Sequence, residues 1–221
     1  LDQLEPGTSA YNMPIALRLK GELDRKVLNA AISTIVERHE TLRSNFVLDG
    51  DIPRVIIHEP KPWHIDVVDL SGLAVDKQEI EIAKQSQREF SRGFSLSEGP
   101  LYRTTLLQIG EAKGDNQEWV FLSTMHHMIS DGWSMDVMVQ ELGMLYAALK
   151  DQSRPALSNL PVQYVDYAAW QREWMQGEEL EKQINYWREQ LDNEYAVLDL
   201  PTDFPRPMVH RRQENPFLII T

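Results

Sequence analysis

Met125 to Ser134, MHHMISDGWS, concentrates more chemically useful side chains than any other stretch of the chain. Two histidines, His126 and His127, stand at the end of an apolar run, and Asp131 follows the second by four residues, ahead of Gly132, Trp133 and Ser134. An imidazole with a pKa near about 6.5 accepts a proton at physiological pH, which suits general acid–base chemistry. Asp131 could orient that ring across a tight turn, which Gly132 would permit through unusual dihedrals or a close approach. It could equally pair with a distant arginine and hold the loop in shape. A metal site is the weaker reading. If Trp119 to His127 is one strand, its side chains alternate, so Trp119, Phe121, Ser123, Met125 and His127 share one face and Val120, Leu122, Thr124 and His126 the other. The two histidines then point apart, and no third or fourth ligand is evident nearby. No Gly-x-Ser-x-Gly occurs, so a hydrolase-type serine nucleophile has no support. Chemistry at His127 stands against a plainer alternative, a well-packed turn holding a hydrogen-bonded histidine, and these residues alone leave both open.

The elements that must position this stretch follow from hydrophobic periodicity. Ala10 to Lys20 alternates through Ile15, Leu17 and Leu19 and reads as a strand ended by Gly21. From Leu23 the period becomes helical: Val27, Leu28, Ala31, Ile32, Ile35 and Val36, with Asp24 near the start, where its charge suits the helix dipole. RHETLRSNF follows, Arg38 to Phe46. Its plain reading is a helix C-terminus whose basic residues suit the dipole, then a strand; its sharper one is that Arg38 or Arg43 supplies the partner of Asp131. Leu42 to Leu48 and Arg54 to His58 form a hairpin about Asp49-Gly50-Asp51, and Trp63 to Leu70 is a further strand. Residues 76–93 read as an exposed amphipathic helix with a narrow stripe of Ile80, Ile82, Ala83 and Phe90, ended by Gly93. Leu101 to Ile109 and Trp119 to His126 are apolar strands joined by the polar link 110–117. After the histidines, Met135, Met138, Leu142, Leu145 and Leu149 mark a helix with Ser134 as its N-cap. Tyr164 to Met175 and Glu178 to Asp192 are helices whose aromatic stripes read as core. This order predicts an α/β (α+β) two-layer sandwich with a mixed sheet.

Composition excludes other classes. Lys+Arg 22 against Asp+Glu 34 gives a net charge of −12, which argues against nucleic acid as a primary partner. The absence of cysteine removes disulfides, thiolate metal sites and a cysteine nucleophile and agrees with a cytoplasmic setting. No apolar run approaches the roughly 18 residues of a membrane helix, and LDQLEPG lacks the features of a signal peptide. The missing initiator Met leads to the expectation of an excised or processed piece.

Taken together, the motifs resemble the condensation domain of non-ribosomal peptide synthetases. His-His-Met-Ile-Ser-Asp-Gly-Trp-Ser is similar to the family's HHxxxDG signature, RHETLRSNF to its second core motif and YVDYAAW to its fourth. LDQLEPG resembles the tail of the first, and LPTDFPRP the stretch leading out of the N-terminal half. HxxxD alone is shared with chloramphenicol acetyltransferase-like acyltransferases; the flanking motifs, in the expected order over nearly the whole chain, make the match specific. The resemblance implies a chloramphenicol acetyltransferase-like fold of two halves, between which two carrier-protein-bound thioesters meet and the acceptor amine attacks the donor to form a peptide bond. Residues 1–200 would be the N-terminal subdomain and 201–221 an extended linker or arm towards an absent C-terminal subdomain. His127 would position or deprotonate the amine or stabilise the tetrahedral intermediate, and His126 would be structural. Asp131 would hold the loop through a salt bridge to Arg43, with Arg38 second, and Gly132 would keep the tunnel open. Ser130 with Gly132-Trp133-Ser134 favours condensation over epimerisation, with an L-configured donor. No cofactor would bind directly; substrates would arrive on the 4'-phosphopantetheine of peptidyl or acyl carrier domains, beside an adenylation domain, with neither nucleic acid nor membrane as partner. The first motif is incomplete here, the fifth to seventh are absent, and NPFLIIT departs from the family's usual continuation, so this piece alone is expected to be inactive or nearly so. The alternatives are a non-catalytic carrier-docking module or remnant of the same fold and, less well supported by the flanking motifs, a CoA-dependent acyltransferase.

Overall fold

The computed structural model describes residues 7–110, 117–191, 201, 203–205 and 219–220. The chain falls into two compact units, Leu1–Pro161 with Phe217–Thr221, and Val162–Pro216.

The first unit is built on one mixed sheet. β1 (Asn12–Lys20), β4 (Asp66–Asp69), β5 (Tyr102–Gln108), β6 (Glu118–His126) and β7 (Ile219–Ile220) lie in the order β4-β5-β6-β1-β7. The β5–β6 and β6–β1 pairs are antiparallel, whereas β4–β5 and β1–β7 are parallel. β2 (Ser44–Asp49) and β3 (Ile52–Ile57) form the expected hairpin, but as a separate two-stranded sheet. Its turn passes through Gly50 at φ +64°, a left-handed conformation that glycine adopts without a Cβ clash.

Strand alternation decides the layers. On β6, Trp119, Phe121 and Met125 join Tyr102 and Leu106 of β5 in one core. That core is closed by Leu28, Ile32 and Ile35 of α1 (Arg25–Arg38) and by Met138 and Leu145 of α3 (Gly132–Lys150). Val120 and Leu122 point the other way, with Ala16 and Leu107, onto Ile82 and Phe90 of α2 (Val75–Ser91). Helices therefore cover both faces, and the expected two-layer sandwich gains a third layer. The α/β class with a mixed sheet stands. Each large side chain buried in these cores contributes about 1.5–3 kcal/mol.

Local chemistry sets the boundaries. Asp24 caps α1, its Oδ1 accepting from the backbone N–H of Lys26 and Val27 at 2.9 and 3.1 Å. On α2 the buried stripe is Ile82, Ser86 and Phe90, spaced by four; Ile80 and Ala83, expected in it, are exposed. The strand expected from Trp63 contracts to Asp66–Asp69. Trp63 instead stacks on Tyr102 at 4.8 Å and donates its indole N–H to Thr104 Oγ1 at 2.7 Å.

In the second unit, α4 (Tyr164–Trp174) and α5 (Gly177–Leu191) bury none of their residues. The aromatic stripe of α4, expected as core, is exposed. The expected arm, 201–221, falls mostly outside the described residues; within it, Ile219 and Ile220 pair with Ala16 and Leu17 of the sheet.

Candidate active site

The site lies where β6 ends. The strand stops at His126, so the alternation expected through His127 breaks one residue early. His126 is 6% exposed. Its backbone N–H donates to Leu101 O at 2.9 Å, and its Nδ1 accepts from the Met128 N–H at 3.0 Å. That bond requires the Nδ1 lone pair, which places the proton of a neutral ring on Nε2. The rings of Phe94 and Tyr11 stand 6.0 Å away. His126 is thereby fixed as a buried residue at the end of β6.

His127 is the reverse case. Its backbone N–H donates to Tyr11 O at 2.8 Å, anchoring the turn to the start of β1, while the residue itself is exposed. The turn closes through Ile129 N–H to His126 O at 3.0 Å, and Ile129 and Ser130 are buried beneath it. An anchored backbone carrying an exposed imidazole is the arrangement a proton-transfer or positioning group needs.

The carboxylate does not play the role expected of it. Asp131, not Ser134, is the N-cap of α3. Its Oδ1 accepts from the Ser134 backbone N–H at 2.8 Å and from Ser134 Oγ at 2.7 Å, while the Asp131 N–H donates back to Ser134 Oγ at 3.3 Å. This is a reciprocal capping box, with Ser134 at the third helical position. The Ser134 hydroxyl and amide, together with the nearby charge of His127, hold the carboxyl below its ordinary value of 3.8. Among the described residues Asp131 makes no salt bridge. Arg43 donates to His58 O and to Glu40, and lines a cleft of about 740 Å³ with Asn45, His58, Trp63, Phe94 and Tyr102. Arg38 pairs with Glu141 of α3 at 3.0 Å. A bond to a serine three residues away closes a far smaller loop than one to an arginine at position 43 or 38, which favours it entropically.

At Gly132 the expected unusual dihedrals are absent. It is the first residue of α3, its φ is not positive, and a Cβ there would meet no atom within 4 Å. Its Cα faces open space, so special dihedrals do not explain it. Trp133 is 80% exposed beside it. Among the described residues, no cluster of three or more His, Asp or Glu could hold a metal ion. Sequence reasoning missed Glu141, a buried carboxylate bonded to both Arg38 and His39. Its signal was a charged residue between Met138 and Leu145, on the apolar stripe of α3.

Comparison with known proteins agrees with this frame. The family model for the condensation domain matches residues 1–220. The chain is 44% identical over 209 residues to one of the linear gramicidin synthase proteins of Brevibacillus parabrevis, covering 95% of this chain and 3% of that protein. It is 42% identical to malpinin synthetase of Mortierella alpina, covering 94% of this chain and again 3% of the relative. Among solved structures, the starter condensation domain of rhizomide synthetase matches with a TM-score of 0.75 at 23% identity, over 87% of this chain and 45% of that one. The X-domain from teicoplanin biosynthesis matches with a TM-score of 0.75 at 28% identity, over 92% and 43%. The chain thus spans a few per cent of these curated relatives and under half of these solved structures. With its mixed sheet covered by helices, of the chloramphenicol acetyltransferase-like fold, and its paired histidines at the end of β6, this chain belongs to the condensation domain family.

Proposed function

We propose that this chain is the N-terminal subdomain of a condensation domain that joins two carrier-bound thioesters by an amide bond. The observation that carries the reading is the split of the histidine pair: His126 is buried and hydrogen-bonded at the end of β6, and His127 is exposed on an anchored turn. The acceptor's α-amine attacks the donor thioester carbonyl, a tetrahedral oxyanion forms, and the C–S bond breaks to release the donor carrier's thiol. His127 takes up or directs the amine proton and stabilises the developing charge, and the released proton passes to the thiolate. Asp131, capping α3, holds the turn's exit and sets the field at His127. The 4'-phosphopantetheine arms belong to the donor and acceptor carrier domains and enter as substrate. The C-terminal subdomain would complete the site by excluding water, an adenylation domain would load the acceptor, and the location would be cytoplasmic.

In the complete parent domain with aminoacyl carriers, His127→Ala is expected to lower dipeptide formation by about 10²–10⁴-fold with unchanged circular dichroism and melting. Near-normal turnover would sink the reading. A second reading, a docking module without turnover, is favoured by the likeness to the teicoplanin X-domain, which has been solved in complex with OxyB. It predicts carrier binding indifferent to His127→Ala and no amide formation by the complete wild-type domain.

A further inference from the structure

Glu141 breaks the pattern of its own helix. Met138 and Leu145, three residues before and four after, lie on the same face of α3, and both are buried in the core. The sequence therefore places a carboxylate in a core stripe, with its side chain only 9% exposed. Oε1 accepts from Arg38 Nε at 3.0 Å and Oε2 meets His39 Nε2 at 2.8 Å. Arg38 is the last residue of α1 and His39 its C-cap, with its own N–H bonded to Ile35 O. One buried carboxylate thus grips two consecutive residues at the C-terminal end of α1. At the other end, the backbone N–H of Asp24, the α1 N-cap, donates to the Tyr146 hydroxyl of α3 at 2.8 Å. The two helices are tied by directed bonds at both ends of α1.

Stability alone does not explain this choice. Taking a carboxylate and a guanidinium out of water is costly, and apolar residues of similar volume often serve as well or better. What a charge-assisted bond supplies, and an apolar contact does not, is direction and register. α3 is the helix whose N-terminus carries the capping box of Asp131 and Ser134 and the turn bearing His127. Glu141 lies ten residues past that cap, about 15 Å along the axis. A rigid helix clamped there transmits any rotation or slide directly to its N-terminal end.

We infer that Glu141 is a positioning residue: its clasp on Arg38 and His39 fixes α3 against α1 so that His127 is held where the amide-forming step requires it. This rests on the function proposed above. It also gives the RHETLR segment a role in the site that does not depend on Arg43 or Arg38 reaching Asp131.

The test pairs Glu141→Gln with the double variant Arg38→Met/Glu141→Met in the complete condensation domain. The double variant is expected to melt near the wild-type temperature, since apolar volume replaces the ion pair while the part-exposed His39 exchanges its carboxylate partner for water. Its kcat for amide formation is expected to fall by about ten- to a hundredfold, as a small misplacement does, with KM for the loaded carriers moved by less than about twofold. In this chain, amide hydrogen exchange at Met128 to Ser134 is expected to quicken by about tenfold while the β5 and β6 amides are unmoved. Full kcat and unchanged exchange in a stable double variant would overturn the inference, leaving the clasp a stability element. A uniform rise in exchange across all amides would overturn it as well. If the double variant does not fold, Glu141→Gln, which keeps the volume, decides by the same two readings. If the wild-type domain forms no amide bond, the functional reading fails, and the exchange pattern still judges the clasp.

Discussion

A strand's two-residue alternation is only as long as its ladder, and His126 and His127 sit on either side of the point where the ladder stops. His126 is buried and His127 exposed, but strand alternation is not the cause: His127 leaves the sheet for a turn bonded to Tyr11. Asp131 shows where sequence runs out. Asp131 and Ser134 are both good capping residues three apart, so which one caps depends on where α3 begins, and side-chain competition rather than periodicity decides that. The capping bonds carry a pH prediction. Because the folded-state value of Asp131 is depressed, with the Ser134 hydroxyl bond as its largest cause, its contribution is present above the unfolded value. That contribution is lost as pH falls below 3.8 and through the folded value. Asp131→Asn keeps an acceptor for the cap and is expected to preserve amide protection in the first turn of α3 at every pH. Asp131→Ala is expected to lose that protection even at pH 7. Hydrogen exchange measured from about pH 7 down to about pH 3 separates the three proteins; equal protection in wild type and Asp131→Ala would show that the cap contributes nothing.

The long periodic elements were legible because many residues vote on one answer. α1 repeats its apolar positions at helical spacing over several turns, and β6 carries apolar residues on both faces because helices cover both. Elements decided by a few tertiary contacts were not. The strand expected from Trp63 is shortened because that ring turns inward to stack on Tyr102 and bond Thr104. On α2, Ser86 takes a buried place that hydropathy would give to Ile80. The register of α3 can be tested by contrast. Leu145 is 1% exposed and Met144, its neighbour, 45%. Leu145→Ala is expected to cost about 2–5 kcal/mol in urea unfolding, from lost burial and the cavity left behind. Met144→Ala should stay within about 0.5 kcal/mol. Similar losses at both positions would contradict the helix face assigned here.

At the scale of the whole molecule, two opposing surface properties must be weighed. The net charge of −12 keeps copies apart. Against it stands the aromatic ladder of α4, in which Tyr164, Tyr167, Trp170 and Trp174 follow one another at centroid spacings of 5.8, 5.7 and 5.5 Å. Trp170 is 53% and Trp174 44% exposed. The hairpin adds Leu48, Ile52 and Val55, all exposed. Exposed apolar surface on either element drives association over contact distance, whereas charge repulsion acts over a Debye length of about 30 Å at 0.01 M salt and about 3 Å at 1 M. The two effects therefore separate with ionic strength. At low salt repulsion reaches beyond the patches and the chain should sediment as a monomer. As salt rises the repulsion contracts to contact range while the apolar attraction persists, so self-association should increase. Trp170→Gln with Trp174→Gln removes the two largest rings from the ladder and leaves the core of the first unit untouched. That variant is expected to remain monomeric by sedimentation at high salt and to keep the wild-type melting of the first unit. Association that falls with added salt would point to charge-driven contacts instead, and an unchanged salt response in the double variant would place the adhesive surface on the hairpin rather than on α4.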